Sequence, residues 1–234
     1  AQIFPDDPAL AGKVITVEGV GGVGGHGINL LTQEGAIVIA SDVKQRQVDV
    51  LFERFPHLRS FVDQNKLHIF LEEKDERGVT QRIFDPLVAF PELAQKMGIT
   101  RIDVCAPCGP GGILNDETIP MIHRSGTKAV VPSANNALKD ERHAQMLHDL
   151  GILYIPDYQA NNGGVIAVNL HLLDRTMTNT ELGQKVFGDV TRIIQLAKEN
   201  RTTLLAVANR ESRKFFESLP TARLLLLVNY RPEY

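Results

Sequence analysis

Short, mostly apolar runs rich in Val and Ile recur along the chain, at Val14–Val17, Ile37–Ala40, Leu67–Leu71, Ile102–Cys105, Ala129–Val131 and Ile152–Ile155. Runs of this kind suit parallel strands buried on both faces. Longer segments of mixed polarity lie between them and predict helices near 22–34, 44–55, 86–97, 117–124 and 138–149. Strands that alternate with helices predict an α/β fold, a doubly wound and mostly parallel sheet with crossover helices on both sides. From Gly163 onward the periodicity reads as helices, near 163–174, 180–199 and 209–218, so a helical C-terminal portion is expected. The division expected from this pattern is an entry segment over 1–12, an α/β domain over 13–175 and a helical extension over 176–234 that packs on it.

Two segments fall outside the pattern. Residues 72–84, EEKDERGVTQRIF, are charged and poorly periodic, and read as a solvated surface loop or hairpin. Leu224–Val228 is an apolar run just before a polar tail, expected to pack back onto its own domain. With 234 residues, 43 % hydrophobic and 23 % charged, the chain has the composition of one large globular domain, or of a domain plus a small appendage. A net charge of −3 and the lack of a basic run give no reason to expect a nucleic-acid partner. No apolar run approaches the ~20 residues of a membrane span, and the opening AQIFPDDPAL does not read as a signal peptide. Cys105 and Cys108 cannot make a disulfide framework and suit a reducing, cytoplasmic setting.

The first strand runs directly into Gly19-Val20-Gly21-Gly22-Val23-Gly24, and a helix-like segment follows. This is a G-x-G-x-x-G fingerprint in the context it needs. One glycine permits the tight turn, one lets backbone approach a pyrophosphate, and one lets helix and strand pack closely. The helix start then offers unpaired N–H groups to the phosphates. The second strand ends in Ser41-Asp42-Val43. An acid there can accept from the adenosine ribose hydroxyls and would repel a 2′-phosphate, which points to NAD over NADP, although Lys44 and Arg46 lie near enough to soften the repulsion. Together these features predict a Rossmann-type dinucleotide site.

Three further loops follow strands: Pro107-Cys108-Gly109-Pro110-Gly111-Gly112, Pro132-Ser133-Ala134-Asn135-Asn136, and Pro156-Asp157-Tyr158 leading to Asn161-Asn162-Gly163-Gly164. Ligands of open α/β sheets bind beyond the carboxyl ends of the strands. Turn chemistry alone accounts for the glycines and prolines. It accounts less well for two Asn-Asn pairs, whose amides can bond a carboxamide or a carboxylate.

GVGGVG, SDV, CAPCGPGGILNDETIP, SANN, LHDLGILYIPDY and NNGGVI, in that order, resemble the nucleotide-binding domain of the glutamate/leucine/phenylalanine/valine dehydrogenase family, with the leucine dehydrogenase branch nearest. The resemblance runs from roughly Leu10 to Ser218. It implies NAD-dependent oxidative deamination of an L-amino acid to a 2-oxo acid, and the reverse reductive amination. It also implies pyrophosphate glycines at Gly19, Gly21 and Gly24, a ribose acid at Asp42, and a loop at Ala106, Pro107 and Cys108 beside the adenosine half. Asn135 would lie near the nicotinamide, with Asn161 orienting the carboxamide and the substrate, and Gly163 and Gly164 would let the next helix start close by.

The family's catalytic lysine, carboxylate-binding lysine and catalytic aspartate belong to a substrate domain that these residues do not match. That domain is expected upstream in the native chain or in a separate polypeptide, and this chain alone is expected to be inactive. A non-catalytic NAD-binding sensor or interaction module is the alternative. Asn162 and Gln159-Ala160 depart from the family pattern, and the stretch from Asp42 to Cys105 is longer than that pattern.

Other signals are weak. Cys105-x-x-Cys108 lacks the second half of a structural zinc site, and no metal is expected. His143 and His148 are expected at the surface, and His26 on the helix surface rather than on a phosphate. No G-x-S-x-G or Walker A sequence supports a hydrolase or nucleotide triphosphatase.

Overall fold

The computed structural model describes Phe4 and residues 6–76, 78–172 and 174–218. The apolar run at 224–228 lies outside these residues. Eight strands occur among them: β1 (Val14–Glu18), β2 (Ile37–Asp42), β3 (Leu67–Leu71), β4 (Lys74–Asp75), β5 (Gly78–Val79), β6 (Val104–Pro107), β7 (Ala129–Val130) and β8 (Leu153–Tyr154). Six of them form one parallel sheet in the order β3-β2-β1-β6-β7-β8, and β4 and β5 pair as a small antiparallel hairpin. The chain moves outward one way from β1 to β3, then restarts at β6 beside β1 and moves the other way. The strand order therefore reverses between β1 and β6, the place where such sheets hold ligands.

Alternate residues of each strand enter different cores. Val14, Ile39, Cys105, Val130 and Tyr154 pack on one face with Ile83, Phe84, Ile119, Ile122 and Leu147. Ile15, Val17, Val38, Ala40, Leu67 and Val104 pack on the other with Ile28, Leu51 and Leu58. Both faces are buried, so the strands need apolar residues in both phases, and this is why they appear as continuous runs.

The helices are α1 (Gly22–Gln33), α2 (Gln45–Arg54), α3 (Leu58–Asp63), α4 (Pro86–Ala89), α5 (Pro91–Met97), α6 (Thr118–Arg124), α7 (Arg142–Asp149), α8 (Asp157–Ala160), α9 (Gly163–Leu172), α10 (Asn179–Asn200) and α11 (Leu204–Ser218). A Thr178–Glu181 capping box starts α10, with Thr178 Oγ1 accepting from Glu181 N–H at 3.2 Å and Glu181 Oε2 accepting from Thr178 N–H at 2.8 Å. The helices α10 and α11 share a third core, Ile193, Ile194, Ala197, Leu204, Val207 and Ala208, which reaches the sheet through Ile155.

Several expectations need correction. The helix expected over 86–97 is two helices, because Pro91 has no N–H to donate back and its ring cannot follow a continuous turn. The helix expected from 138 starts at Arg142, because Leu138 makes a parallel bridge to Leu114 and Lys139 N–H donates to Leu114 O at 3.0 Å. The last helix starts at Leu204 rather than 209, with the Thr203 hydroxyl accepting from Ala206 N–H at 3.1 Å. The strand expected at 102–105 is shifted to 104–107, and α3 was not expected at all. His143 is buried, not at the surface: it sits on the inward stripe of α7 with Ala144 and Leu147. Residues 72–84 do form a hairpin with an exposed tip at Glu73, Lys74, Glu76 and Gly78, as expected, but the ends of the segment, Glu72, Ile83 and Phe84, are buried.

Candidate functional site

Two recesses hold the residues singled out from the sequence. The first, a cleft of about 310 Å³, lies at the reversal point between β1 and β6 and is lined by Gly19, Gly21, Asp42, Val43 and Cys108, among others. Its geometry explains the glycines one at a time. Gly19 has φ +89°, and a Cβ there would meet Gly109 N at 3.0 Å. A Cβ on Gly24 would fall 1.9 Å from the Gly19 carbonyl oxygen, so the start of α1 can rest on the turn only without a side chain. Gly21 differs: a Cβ there would meet nothing within 4 Å. It is the N-cap of α1, no side chain caps it, and the first turn carries no acid. Gly25 N–H bonds back to Gly21 O at 2.8 Å, which leaves the N–H groups before it directed out of the helix. Open space, unspent donors and the positive end of a helix dipole suit a phosphate.

Asp42 ends β2 and ties this turn together. Its Oδ2 accepts from Val20 N–H at 2.9 Å and its Oδ1 from Lys44 N–H at 2.9 Å. Ser41 beside it lines the same cleft, and its buried hydroxyl has no hydrogen-bond partner among the described residues. Across the cleft, Glu18 Oε2 accepts from Gly109 N–H at 2.9 Å. Burial pushes the Glu18 pKa up to about 7, with the nearby Asp42 and Glu72 charges adding to the rise. A Cβ on Gly109 would fall 2.3 Å from Glu18 Oε1, so glycine there is what admits the carboxyl. Sequence reasoning missed Glu18, Gly109 and Glu72. A charged residue closing an otherwise apolar strand was the available signal for Glu18.

Ala106 and Pro107 belong to β6 and not to the loop after it. The Pro107 carbonyl accepts from Ser133 N–H at 2.8 Å and Ala134 N–H at 3.1 Å, which couples the two loops. Burial pushes the Cys105 thiol up to about 12 and the Cys108 thiol up to about 11, so both are protonated at neutral pH. Val20 is buried, Gly22 lies in a small recess beside the exposed His26, and the Val23 side chain is turned toward the second recess.

That second recess is a groove of about 1080 Å³ between the sheet and helices α9 and α10. Asn135 and Asn161 meet at its polar end, where Asn161 Nδ2 donates to Asn135 Oδ1 at 2.7 Å and to Ser133 O at 3.2 Å. Asp157 fixes the same loop by accepting from Asn136 N–H. Gly163 and Gly164 also line the groove, and the rest of its lining is mainly apolar, with Val165, Leu182, Val186 and Phe187 from α9 and α10. Ala134, buried beneath Asn135, lines neither recess. Among the described residues no three His, Cys, Asp or Glu side chains converge as a metal would need, and no helix is long and apolar enough to cross a membrane.

A parallel sheet with a glycine turn at its reversal point and an acid closing the next strand defines a Rossmann-type protein. The sequence profile of the Glutamate/Leucine/Phenylalanine/Valine dehydrogenase family matches residues 6–215, and the chain belongs to that family. Leucine dehydrogenase of Geobacillus stearothermophilus is 31 % identical over 232 residues, which is 97 % of this chain and 53 % of the relative. Valine dehydrogenase of Streptomyces albus is 32 % identical over 212 residues, covering 90 % of this chain and 49 % of its own. Among solved structures, L-tryptophan dehydrogenase from Nostoc punctiforme superposes with a TM-score of 0.67 at 25 % identity, over 91 % of this chain and 54 % of that one. The chain spans about half the length of the curated relatives it matches.

Proposed function

We propose that this chain is the NAD-binding part of an amino-acid dehydrogenase, acting on an L-amino acid and its 2-oxo acid, and that it works in the cytoplasm. The observation that carries the reading is the empty space and unspent N–H groups at Gly21, set directly beside the Asp42 carboxylate. The unit that binds the dinucleotide is residues 13–175, with the helices from 176 onward packed on it.

When bound, NAD supplies the hydride acceptor. The chain's own residues bind and orient. The α1 N-terminus takes the pyrophosphate, and Asp42 takes the ribose hydroxyls. Cys108 and the β6 residues Ala106 and Pro107 flank the adenosine half, while Asn135 and Asn161 present a fixed pair of amides to the nicotinamide carboxamide and the substrate. The lining of the large groove, as described, carries amides, a few hydroxyls and apolar side chains but no ionisable group. A general base must therefore reach it from beyond its lining, and we read the open side as the face toward the family's substrate-binding half. The same lining favours one second reading, a chain that binds NAD and turns nothing over.

Calorimetric titration tests the cofactor assignment. NAD should bind more tightly than NADP, and equal affinities would sink the choice of NAD. Asp42→Asn should weaken NAD by roughly 1–3 kcal/mol and narrow the gap to NADP. Given NAD and a mixture of L-amino acids, the chain alone should form little or no NADH. Brisk turnover would mean that the base lies within these residues after all.

A further inference from the structure

Residues 72–84 are fastened to the cleft by contacts that a solvated loop would not make. Glu72 N–H donates to Asp42 O at 2.9 Å, so the pairing of β3 with β2 delivers this segment to the residue that closes β2. The buried Glu72 carboxylate is then a latch. Its Oε1 accepts from Ile83 N–H at 2.8 Å; its Oε2 accepts from the Thr80 hydroxyl at 2.7 Å, Arg82 N–H at 3.1 Å and Arg82 Nε at 3.4 Å. Arg82 reaches back to Leu71 O at 2.6 Å and Glu73 Oε1 at 2.8 Å, and its guanidinium lies over the rings of Phe70 and Phe90. Ile83 and Phe84 anchor the far end in the core. Gln81, between these anchors, is held at φ +59°.

Held in this way, Val79 and Gln81 line the cleft together with Gly19, Gly21, Ser41 and Asp42. The glycine turn can attract phosphates but offers nothing that recognises a base. An apolar side chain and an amide, which both donates and accepts, supply what the turn lacks.

We propose that the 72–84 hairpin is the outer wall of the adenosine subsite, with Val79 and Gln81 contacting the adenosine half of the dinucleotide and Glu72 acting as the positioning residue that holds them there. The inference rests on reading the cleft as a dinucleotide site, and ADP-ribose is the probe that separates the two. Titrated into the intact chain, ADP-ribose should bind, and Gln81→Ala and Val79→Ser should each weaken it by about fivefold or more with the melting temperature unchanged. Glu72→Gln, which keeps the shape but not the charge that four donors address, should weaken it as much. Hydrogen exchange at the amides of 78–82 should slow when ADP-ribose is added to the unaltered protein, a readout that survives if Glu72→Gln fails to fold. Wild-type binding with both surface variants within about twofold and no slowing at 78–82 would overturn the wall while leaving the dinucleotide reading intact. Failure of the unaltered chain to bind either NAD or ADP-ribose would overturn both.

Discussion

The cleft at the glycine turn and the groove at the paired asparagines open beyond the same sheet, but they are built differently. In the cleft, Glu18 and Asp42 each accept from a backbone N–H group of another loop, and Glu72 accepts from those at the far end of its own segment, so the walls are tied before any ligand arrives. In the groove the polar fittings are confined to the Ser133–Asn135–Asn161 corner, and apolar side chains such as Val165 and Phe187 stand 65 % and 62 % exposed. Patches of that kind mark contact surfaces. The contrast teaches that one half of the proposed site is preorganised within this chain, whereas the other half has a rigid corner and an open side.

Glycine substitution should expose that difference most sharply. A methyl group on Gly24 must displace the Gly19 carbonyl, which it would approach to 1.9 Å, whereas one on Gly164 would meet nothing within 4 Å. Urea unfolding should therefore show Gly24→Ala losing about 3 kcal/mol or more. Gly164→Ala, in the first turn of α9, should be neutral or gain up to about 1 kcal/mol from reduced unfolded-state freedom. Similar losses at the two positions would erase the distinction between a tied wall and an open one.

The next effect in size belongs to Glu18. Its folded-state pKa is raised from 4.5 to about 7, chiefly by burial, so the native protein holds this proton more tightly than the unfolded chain does. The sign follows directly: the favourable contribution is complete below the unfolded value and is lost as pH rises through about 7. Between pH 5 and 8 the wild type should lose roughly 1–3 kcal/mol that Glu18→Gln retains, because the amide oxygen can still accept from Gly109 N–H. Parallel stability profiles for the two proteins would show that the carboxyl is better hydrated than its position implies.

How much of this was legible in the sequence depends on whether a feature is local. The strand runs, the glycine turn, Asp42 and the C-terminal helices could be read because periodicity and spacing encode them directly. That Asn135 and Asn161 share one site was suggested by their loops at strand ends and by the family resemblance, but their direct bond was not, since the chain between them must first fold into α7 and β8. Glu18 and Gly109 escaped notice because their meaning is mutual: the carboxyl needs the missing Cβ of a residue that lies far along the chain. Residues 72–84 misled for a related reason. The charges of Glu73, Lys74 and Glu76 are solvated as they look in sequence, yet Glu72 is buried and satisfied by donors that come from its own segment eight to eleven residues later. A burial argument based on residue type cannot anticipate a carboxylate whose partners are two backbone N–H groups, a hydroxyl and a guanidinium of its own segment.

The smallest effect tests the open side itself. Val165 and Phe187 line the groove but stand mostly clear of it, so little of either side chain is removed from water by folding of this chain. Val165→Gln and Phe187→Gln exchange apolar for polar atoms that remain in solvent, at helical positions where glutamine is well tolerated. Each should therefore change the unfolding free energy by no more than about 0.5 kcal/mol. A loss of about 2 kcal/mol or more at either position would mean that the side chain is packed in solution, because removal of buried apolar atoms is what costs that much. The groove would then be a closed core like the cleft's surroundings, and the division of the site into a tied half and an open half would fail.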